Sequence, residues 1–511
     1  MSTLTKNFSS TFKEQRWVDQ ISRKFIREVA ISISDENPIC IFNVPKTITV
    51  FKPKAYVPQV IALGPYHHMD PLLYHMERYK ISCAKWLFNQ TRHFRHENNK
   101  FQELLIDKLK KLDPLVRGCY HNYLDFDDDT LFWIFAIDGL FLLNLLHEYF
   151  VDREGKKLAR DAILSRDLLL LENQIPFVVL SEISSQLNTD EIELLHKMEH
   201  YCHENSPLQL SSISSDSCYE TSHLHLLDLM YHLIVNNGSS ETERSSQYEY
   251  QIESASEEIR IDEEDINSAR DNIGEITDLA MNFGMGKKIL KPLQVIQDIP
   301  WDRLLTILGI KLAIDDPKNY EGPLVKEIKI PSVSLLHYYA GIMFKSTNDG
   351  LRGLKFVEEE AVLYLPIITL DVNSEVVLRN LVAYETSMNY SCSSYSLSQF
   401  VDLISGIIDD AEDAKLLKQN GIIKGDLTND QIADLFNGMN KVNHYGNKTA
   451  MMINEYYKKR PVVKTFKFMK KKLLSLWKVV TQLLTVLVLL LLILYSFCEF
   501  YGCSRLLGDG N

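Results

Sequence analysis

The chain has 511 residues, 45% of them hydrophobic and 24% charged, enough to bury one large core or two ordinary ones. A formal net charge of −13 argues against nucleic acid as a partner, because phosphate binding needs a basic face. The eight cysteines, Cys40, Cys83, Cys119, Cys202, Cys218, Cys392, Cys498 and Cys503, form no C-x-x-C pair, a scatter that fits reduced cytosolic thiols better than a disulfide framework.

Residues 1–35 disperse Lys6, Lys13, Arg16, Arg23, Lys24 and Arg27 among Phe8, Phe12, Trp17, Val18, Ile21, Phe25 and Ile26. With no continuous apolar run and no small-residue cleavage site, they read as a basic amphipathic helix and not as a signal peptide. Residues 36–234 are mainly helical in pattern. Leu104 to Leu115 and Glu191 to His200 are amphipathic. Leu131 to Phe150 is nearly solid hydrophobe behind the acidic run Asp125 to Asp129, which suits a helix N-terminus. His147, Glu148 and the turn-forming DREGKK after them make it a buried central helix and not a membrane span. Arg160 to Leu187 reads as another apolar helix, broken or kinked at Pro176.

Residues 235–269 turn to Ser, Glu and Asp and cannot bury enough apolar surface to offset chain entropy, so they read as a solvated loop. That loop divides the body, and its acidic part, Glu241 to Asp271, is a candidate recognition segment for a basic partner. Over residues 270–457 the helical pattern returns and then gives way. VKEIKIPSVSLL, GLKFVEEE and AVLYLPIITLD have short β-prone runs between Gly, Pro and acidic turns, which predicts two to four strands. Asn373 to Glu385 and Leu397 to Asp410 revert to helix, and Thr428 followed by Gln431 is a helix-start signature. The resulting fold class is mainly α with a small β element (α+β).

The chain closes with a basic juxtamembrane segment (458–478), an uncharged apolar run (479–497) and a short tail (498–511). The run begins at Val479, passes through Leu487 and Leu491 and ends at Phe497. As a helix its 19 residues would extend about 28 Å, close to the roughly 30 Å hydrocarbon core of a bilayer. A single C-terminal transmembrane helix is expected. Basic residues precede the span and Arg505 alone comes after it, so the body is expected to face the cytosol, at the plasma membrane or, alternatively, an endomembrane. The lipid bilayer is thus one expected partner.

Motifs of catalysis are scarce. GMGKK (284–288) fails as a phosphate loop, because Met281 stands where the first Gly belongs and Lys288 at the Ser/Thr position. There is no G-x-G-x-x-G after a strand, no G-x-S-x-G elbow and no H-E-x-x-H, and no cofactor is expected. His67 and His68 are the best metal or acid–base candidates by residue type, but adjacent side chains diverge and no companion Cys/His spacing supports a site. Asp138, Arg166, Asp167, Glu172 and Asn173 lie in or beside very apolar segments, where paired or hydrogen-bonded structure is the first reading and a catalytic dyad the second.

Taken in order, several pieces resemble the plant domain-of-unknown-function-247 family. They are IFNVPKTI with KPKAYVPQVIALGPYHH (41–68), MERYK (76–80), IDGLFLLNLL (137–146), RDLLLLENQIPFVVL (166–180), DLMYHLI (228–234), IKIPSVSLL (328–336), LRNLVAYE (378–385) and the C-terminal apolar run. Leu140 stands where that family often has Cys, which argues against a thiol nucleophile there. The resemblance implies membrane association and, for some grass members, a male, pollen-side role in self-incompatibility; it implies no active site. Two functions are therefore expected. One is a membrane-anchored recognition or signalling scaffold with an unidentified protein partner; the other is an enzyme, in the manner of a hydrolase, with a pocket gathering LGPYHH, IDG and LLLLENQIP.

Overall fold

A computed structural model describes residues 39–50, 52–90, 101–150, 162–210, 224–235, 330–388, 396–439 and 447–465, with isolated positions towards both ends. All of the acidic segment 235–269 except Val235, the tail 498–511 and nearly all of 1–35 and 479–497 lie outside the described residues. Val479, Leu487 and Leu491 are among those outside, whereas Val486, Leu490, Ile493, Leu494 and Phe497 are helical and exposed. The chain divides into two compact units, Met1–Thr242 with Val325–Tyr457, and Glu243–Leu324 with Lys458–Asn511. The first unit carries the secondary structure that positions the candidate site.

In its N-terminal part the described α-helices of six residues or more are α1 (Glu77–Gln90), α2 (Asp113–Gly118), α3 (Asp128–Phe150), α4 (Ala162–Asp167), α5 (Phe177–Gln186), α6 (Glu191–Asn205) and α7 (Leu226–Val235). After them come α8 (Val333–Ala340), β1 (Met343–Thr347), β2 (Lys355–Val357), β3 (Val362–Pro366) and β4 (Ile368–Leu370). The series ends with α9 (Ser374–Ser387), α10 (Ser396–Ile407), α11 (Ala411–Gln419), β5 (Ile423–Gly425), α12 (Asn429–Asn437) and α13 (Lys448–Lys459). β3 pairs in parallel with β1 (Phe344 opposite Leu363) and antiparallel with β2 (Phe356 opposite Leu363), giving the order β1-β3-β2, while β4 and β5 form a separate parallel pair. The mainly α character with a small β element is as expected.

The centre is α3. Asp127 starts it by accepting the Thr130 N–H at 2.9 Å, and its hydrogen bonds with Thr130 hold its carboxyl below the usual carboxylate range. Phe132, Phe135, Leu140, Phe141 and Leu146 are fully buried, so apolar neighbours enclose the helix. α1, α5 and α6 pack on it. Among the described residues Asp128–Glu148 is the stretch long and apolar enough to cross a membrane, and with 78% of its apolar window buried it is a core helix. Gly139 lets α5 approach closely, because a Cβ there would overlap Ile183 Cδ1.

One helix expectation and one strand expectation change. The run LLLLENQI does not continue the helix: α4 stops at Asp167, Leu168–Ile175 is irregular and buried apart from the partly exposed Glu172, and α5 starts after Pro176, which sits at its N-cap with φ −57° and ψ 138°. Its three polar side chains after the leucines, Glu172, Asn173 and Gln174, accept the amides of Val44, Leu63 and Leu227. IKIPSVSLL, expected to be β-prone, is instead the helix α8 from Val333. Pro331 disfavours helical backbone at Ile330, and Asp413 of α11 reaches across to accept the Ser334 N–H at 2.7 Å. Such a cap comes from distant sequence and outweighs local propensity. Gly341, at φ +71°, ends α8 and turns the chain into β1. The Thr428 signature is a true capping box, with Gln431 N–H on Thr428 Oγ1 at 3.3 Å and Thr428 N–H on Gln431 Oε1 at 2.9 Å.

Because Gly139 sits against a buried Ile183, Gly139→Ala should cost about 1–3 kcal/mol through overpacking. Chemical denaturation of Gly139→Ala and of the double variant Gly139→Ala/Ile183→Val checks this; removing Cδ1 should restore part of the loss. A double variant no more stable than the Gly139→Ala single would place the constraint elsewhere.

Candidate functional site

The stretch from Lys52 to His68 contains Pro53, Pro58 and Pro65, which withhold amide donors and keep the preceding residues out of helical conformation. It is therefore irregular, yet Ala55, Tyr56, Ile61, Ala62 and Leu63 are buried. Buried amides without a ladder need other partners. Asp167 Oδ2 accepts three in succession, from Gln59, Val60 and Ile61, at 2.8, 2.6 and 3.1 Å. Asn173 accepts the Leu63 N–H at 2.6 Å and donates to the Ile61 carbonyl at 3.0 Å. Asp138 accepts the Gly64 N–H at 3.0 Å. Arg166 donates to the carbonyls of Lys54 and Val57, Lys80 to that of Ala62, and Asn380 to that of Ala55. At φ +68°, with Tyr120 Oη and Gln174 O standing 3.0 and 3.1 Å from where a Cβ would be, position 64 admits only glycine without strain.

Four of the sequence candidates, Asp138, Arg166, Asp167 and Asn173, thus converge on one loop from three elements. Lys80 of α1, which the sequence reading did not single out, completes the set. Its ammonium meets Asp138 Oδ1 at 2.6 Å and Glu77 Oε1 at 2.5 Å. Burial opposes this charge, but Asp138 and Glu77 outweigh it and hold the lysine above its usual value. Burial pushes the Asp138 carboxyl up to about 6 against the pull of Lys80 and the Gly64 amide. Burial likewise raises Asp167, opposed by its three amides and by Arg166 at 3.3 Å.

His67 and Glu172 stand at the rim. Their Nε2 and Oε2 atoms are 3.0 Å apart, with Glu172 Oε1 accepting the Val44 N–H at 2.7 Å. His68 points elsewhere: burial lowers its imidazole, Glu77 and Lys80 act on it from α1, and its Nδ1 is buried without a partner. The two imidazoles therefore do not share a ligand, and among the described residues no trio of His, Cys, Asp or Glu is placed to hold a metal. Tyr66, between the loop and the Ile41 segment, donates to Ile41 O at 3.3 Å and accepts from Asn122 N–H at 3.0 Å, and burial pushes its phenol up to about 12.

A second buried polar cluster went unnoticed in the sequence. Asp228 Oδ1 accepts from Tyr384 Oη at 2.5 Å and pairs with His232 Nε2 at 3.1 Å, while Oδ2 accepts the Leu224 N–H at 2.8 Å. His225 accepts the Asp228 N–H on Nδ1 at 3.1 Å, so its Nε2 carries the proton donated to Cys40 O at 3.0 Å. Burial keeps that imidazole below its ordinary value. Burial alone would raise Asp228, but His232, His225 and Tyr384 bring it down to about 2. Burial opposes the His232 charge as well, and Asp228 outweighs it, so His232 is raised. Glu385 closes the cluster, accepting from Tyr231 Oη at 3.0 Å and from the Leu397 and Ser398 N–H groups at the start of α10. The available signal was ionisable residues placed among apolar ones in DLMYHLI (Asp228, His232) and LRNLVAYE (Arg379, Glu385).

An open depression of about 580 Å³ lies along α6, lined by Asp190, Ile192, Glu193, His196, Glu199, His200 and His203. It is separate in sequence from LGPYHH, IDG and LLLLENQIP, the motifs an enzyme pocket was expected to gather. Within it Glu199 takes His196 at 3.5 Å and His203 at 3.8 Å as ion-pair partners.

The profile of a family described as plant protein of unknown function, the domain-of-unknown-function-247 family, matches residues 41–491, and so includes the loop and every residue that clamps it. This chain belongs to that family. A UPF0481 protein of Arabidopsis thaliana is 32% identical over 540 residues, 96% of each chain. A second Arabidopsis UPF0481 protein is 27% identical over 228 residues, 42% of this chain and 45% of its own length. No solved structure shows significant similarity.

Asp167→Ala would leave the buried Ile61 amide, the part-buried Gln59 and Val60 amides and the Arg166 guanidinium without their shared carboxylate, and should cost about 3–5 kcal/mol. Asp167→Asn, whose amide oxygen still accepts, should cost less. Urea denaturation of the full chain in detergent separates them, and equal stability of Asp167→Ala and the wild type would exclude the clamp. For the second cluster the pH dependence has a definite sign. His232 is raised on folding, so its contribution is complete below the ordinary imidazole value of about 6.5 and is lost as pH rises through the higher folded value. The gap in thermal midpoint between wild type and His232→Gln should therefore narrow as pH increases from about 6. A gap that stays constant with pH would show that no imidazolium–carboxylate pair is at work.

Proposed function

We propose that this chain is a membrane-anchored recognition or signalling scaffold, held by a single pass at residues 479–497 with its body in the cytosol. The observation that carries this reading is the commitment of the buried polar groups. The charges of Asp138, Arg166, Asp167 and Lys80 are spent on the backbone of one loop and on each other, an arrangement that fixes a surface shape. Immediately after the clamped GPYHH, Met69, Leu72 and Tyr74 are exposed, Leu72 by 81%. Apolar side chains presented next to a rigid support suit contact with a protein partner. Recognition at the plasma membrane, of the self-incompatibility kind in plants, is the process this reading favours. The His67–Glu172 pair, partly exposed at 3.0 Å, favours hydrolysis as the second reading, with the carboxylate orienting an imidazole base.

Photocrosslinking from position 72 in intact plant membranes, with and without Leu72→Asp and His67→Ala, distinguishes them. Under the scaffold reading a discrete crosslinked partner appears, Leu72→Asp abolishes its capture and His67→Ala leaves it intact. Deleting 479–497 should release the protein from membranes, and protease added to sealed, cytosol-side-out vesicles should digest the body. No discrete partner from position 72, together with an ester- or peptide-hydrolysing activity lost in His67→Ala, would overturn the scaffold in favour of the enzyme.

A further inference from the structure

Two cysteines far apart in sequence meet where the Ile41 segment runs beside the end of α2. The N–H groups of Cys40 and Ile41 both donate to Cys119 O at 2.9 Å, and His121 N–H donates to Ile41 O at 2.9 Å, which makes Ile41 and Tyr120 a parallel bridge. In that register Cys40 falls opposite Cys119. Backbones so paired lie about 4.7–4.9 Å apart, inside the roughly 4.4–6.8 Å Cα separation that a disulfide spans. The Cys119 thiol donates to Leu115 O at 3.3 Å, each of the two thiols shifts the ionisation of the other, and neither is in a disulfide.

Their surroundings differ in a way that assigns roles. Cys119 is partly exposed at the C-cap of α2, whereas Cys40 is fully buried behind it. Contact with Cys119, then burial, then Asp228 raise the Cys40 thiol; the hydrogen bond from Cys40 lowers that of Cys119. The accessible sulfur is thus the better thiolate, and the sheltered one is in place to attack it afterwards. Cys202 makes a contrast. It is fully buried with its Sγ against Leu226 O, and burial raises its thiol far above the ordinary value.

We propose that Cys40 and Cys119 are a peroxide-sensitive pair that closes into an intramolecular disulfide. The Cys119 thiolate attacks one oxygen of hydrogen peroxide. The O–O bond breaks, a sulfenic acid forms, and the departing hydroxide takes the proton that Cys119 released, leaving as water. Cys40 sulfur then attacks Cys119 sulfur, the S–S bond forms, the S–O bond breaks, and the leaving hydroxide takes the Cys40 proton as a second water. Two thiols lose two electrons and two protons, and one peroxide becomes two waters. The new bond ties the end of α2 to the segment whose Ile41 carbonyl holds Tyr66 and whose Val44 amide holds Glu172, so oxidation stiffens the frame of the GPYHH loop. A reversible bond of this kind suits a reducing compartment in which disulfides are transient sensors.

The test uses the full chain in detergent, exposed to a small excess of hydrogen peroxide, alkylated and digested for peptide mapping by mass spectrometry. A Cys40–Cys119 linked peptide should appear, two hydrogens lighter than the separate peptides, and vanish with dithiothreitol. The thermal midpoint should rise on oxidation and return on reduction. In Cys40→Ser the Cys119 sulfenic acid should persist long enough for dimedone to label it, and Cys202→Ser should change none of these results. Wild-type protein in which Cys119 remains a thiol, proceeds to sulfinic acid, or links to another cysteine in preference to Cys40 would overturn the proposal, whatever the variants do.

Discussion

Burying an irregular stretch of chain leaves its amides without the ladder that a helix or sheet would supply, and the Lys52–His68 loop meets that demand with charged side chains. Asp167 alone takes three successive N–H groups, at 2.6 to 3.1 Å. The other charges are there because of it. A carboxylate so placed is driven up by burial, so a guanidinium stands beside it; Asp138 needs Lys80 for the same reason, and Lys80 needs Glu77 and a carbonyl in turn. Each charge in the group is tolerated because the others are present, since unpaired buried charge is expensive.

The same logic recurs at helix ends. α8 begins on a carboxylate from α11, and α10 on Glu385 from α9, which also receives Tyr231 from α7. Helices whose first amides are satisfied from other elements cannot form their ends until the tertiary structure does. The N-terminal and C-terminal parts of the unit are joined by these polar caps and by Asn380, which binds both the Leu171 N–H and the Ala55 carbonyl, as well as by apolar packing.

For function, the consequence is a rigid loop with an apolar exit at Met69, Leu72 and Tyr74 and a partly exposed His67–Glu172 pair at its rim. The Cys40–Cys119 contact lies under the same frame, connected to it through Ile41 and Val44. A fixed recognition surface and a redox bond that stiffens its support are physically compatible in one body.

Much of this was legible in the sequence alone. Leu131 to Phe150 declares itself a core helix by being apolar on every face, and Thr428 with Gln431 declares a capping box three residues apart. The order of GPYHH, LLLLENQIP and LRNLVAYE marks the family, and the β-prone runs at 355–357, 362–366 and 368–370 became strands. These signals are local, set by periodicity, spacing or a short motif. What the tertiary structure decided depends on partners far along the chain. Asp167 is 106 to 108 residues from the amides it binds, and Asp413 is 79 from the helix it caps. Four leucines before ENQI have a helical look, and IKIPSVSLL a strand-like one. Which conformation each adopts is settled by distant side chains that satisfy the backbone, because the cost of a buried, unpaired amide exceeds the small local preference it overrides.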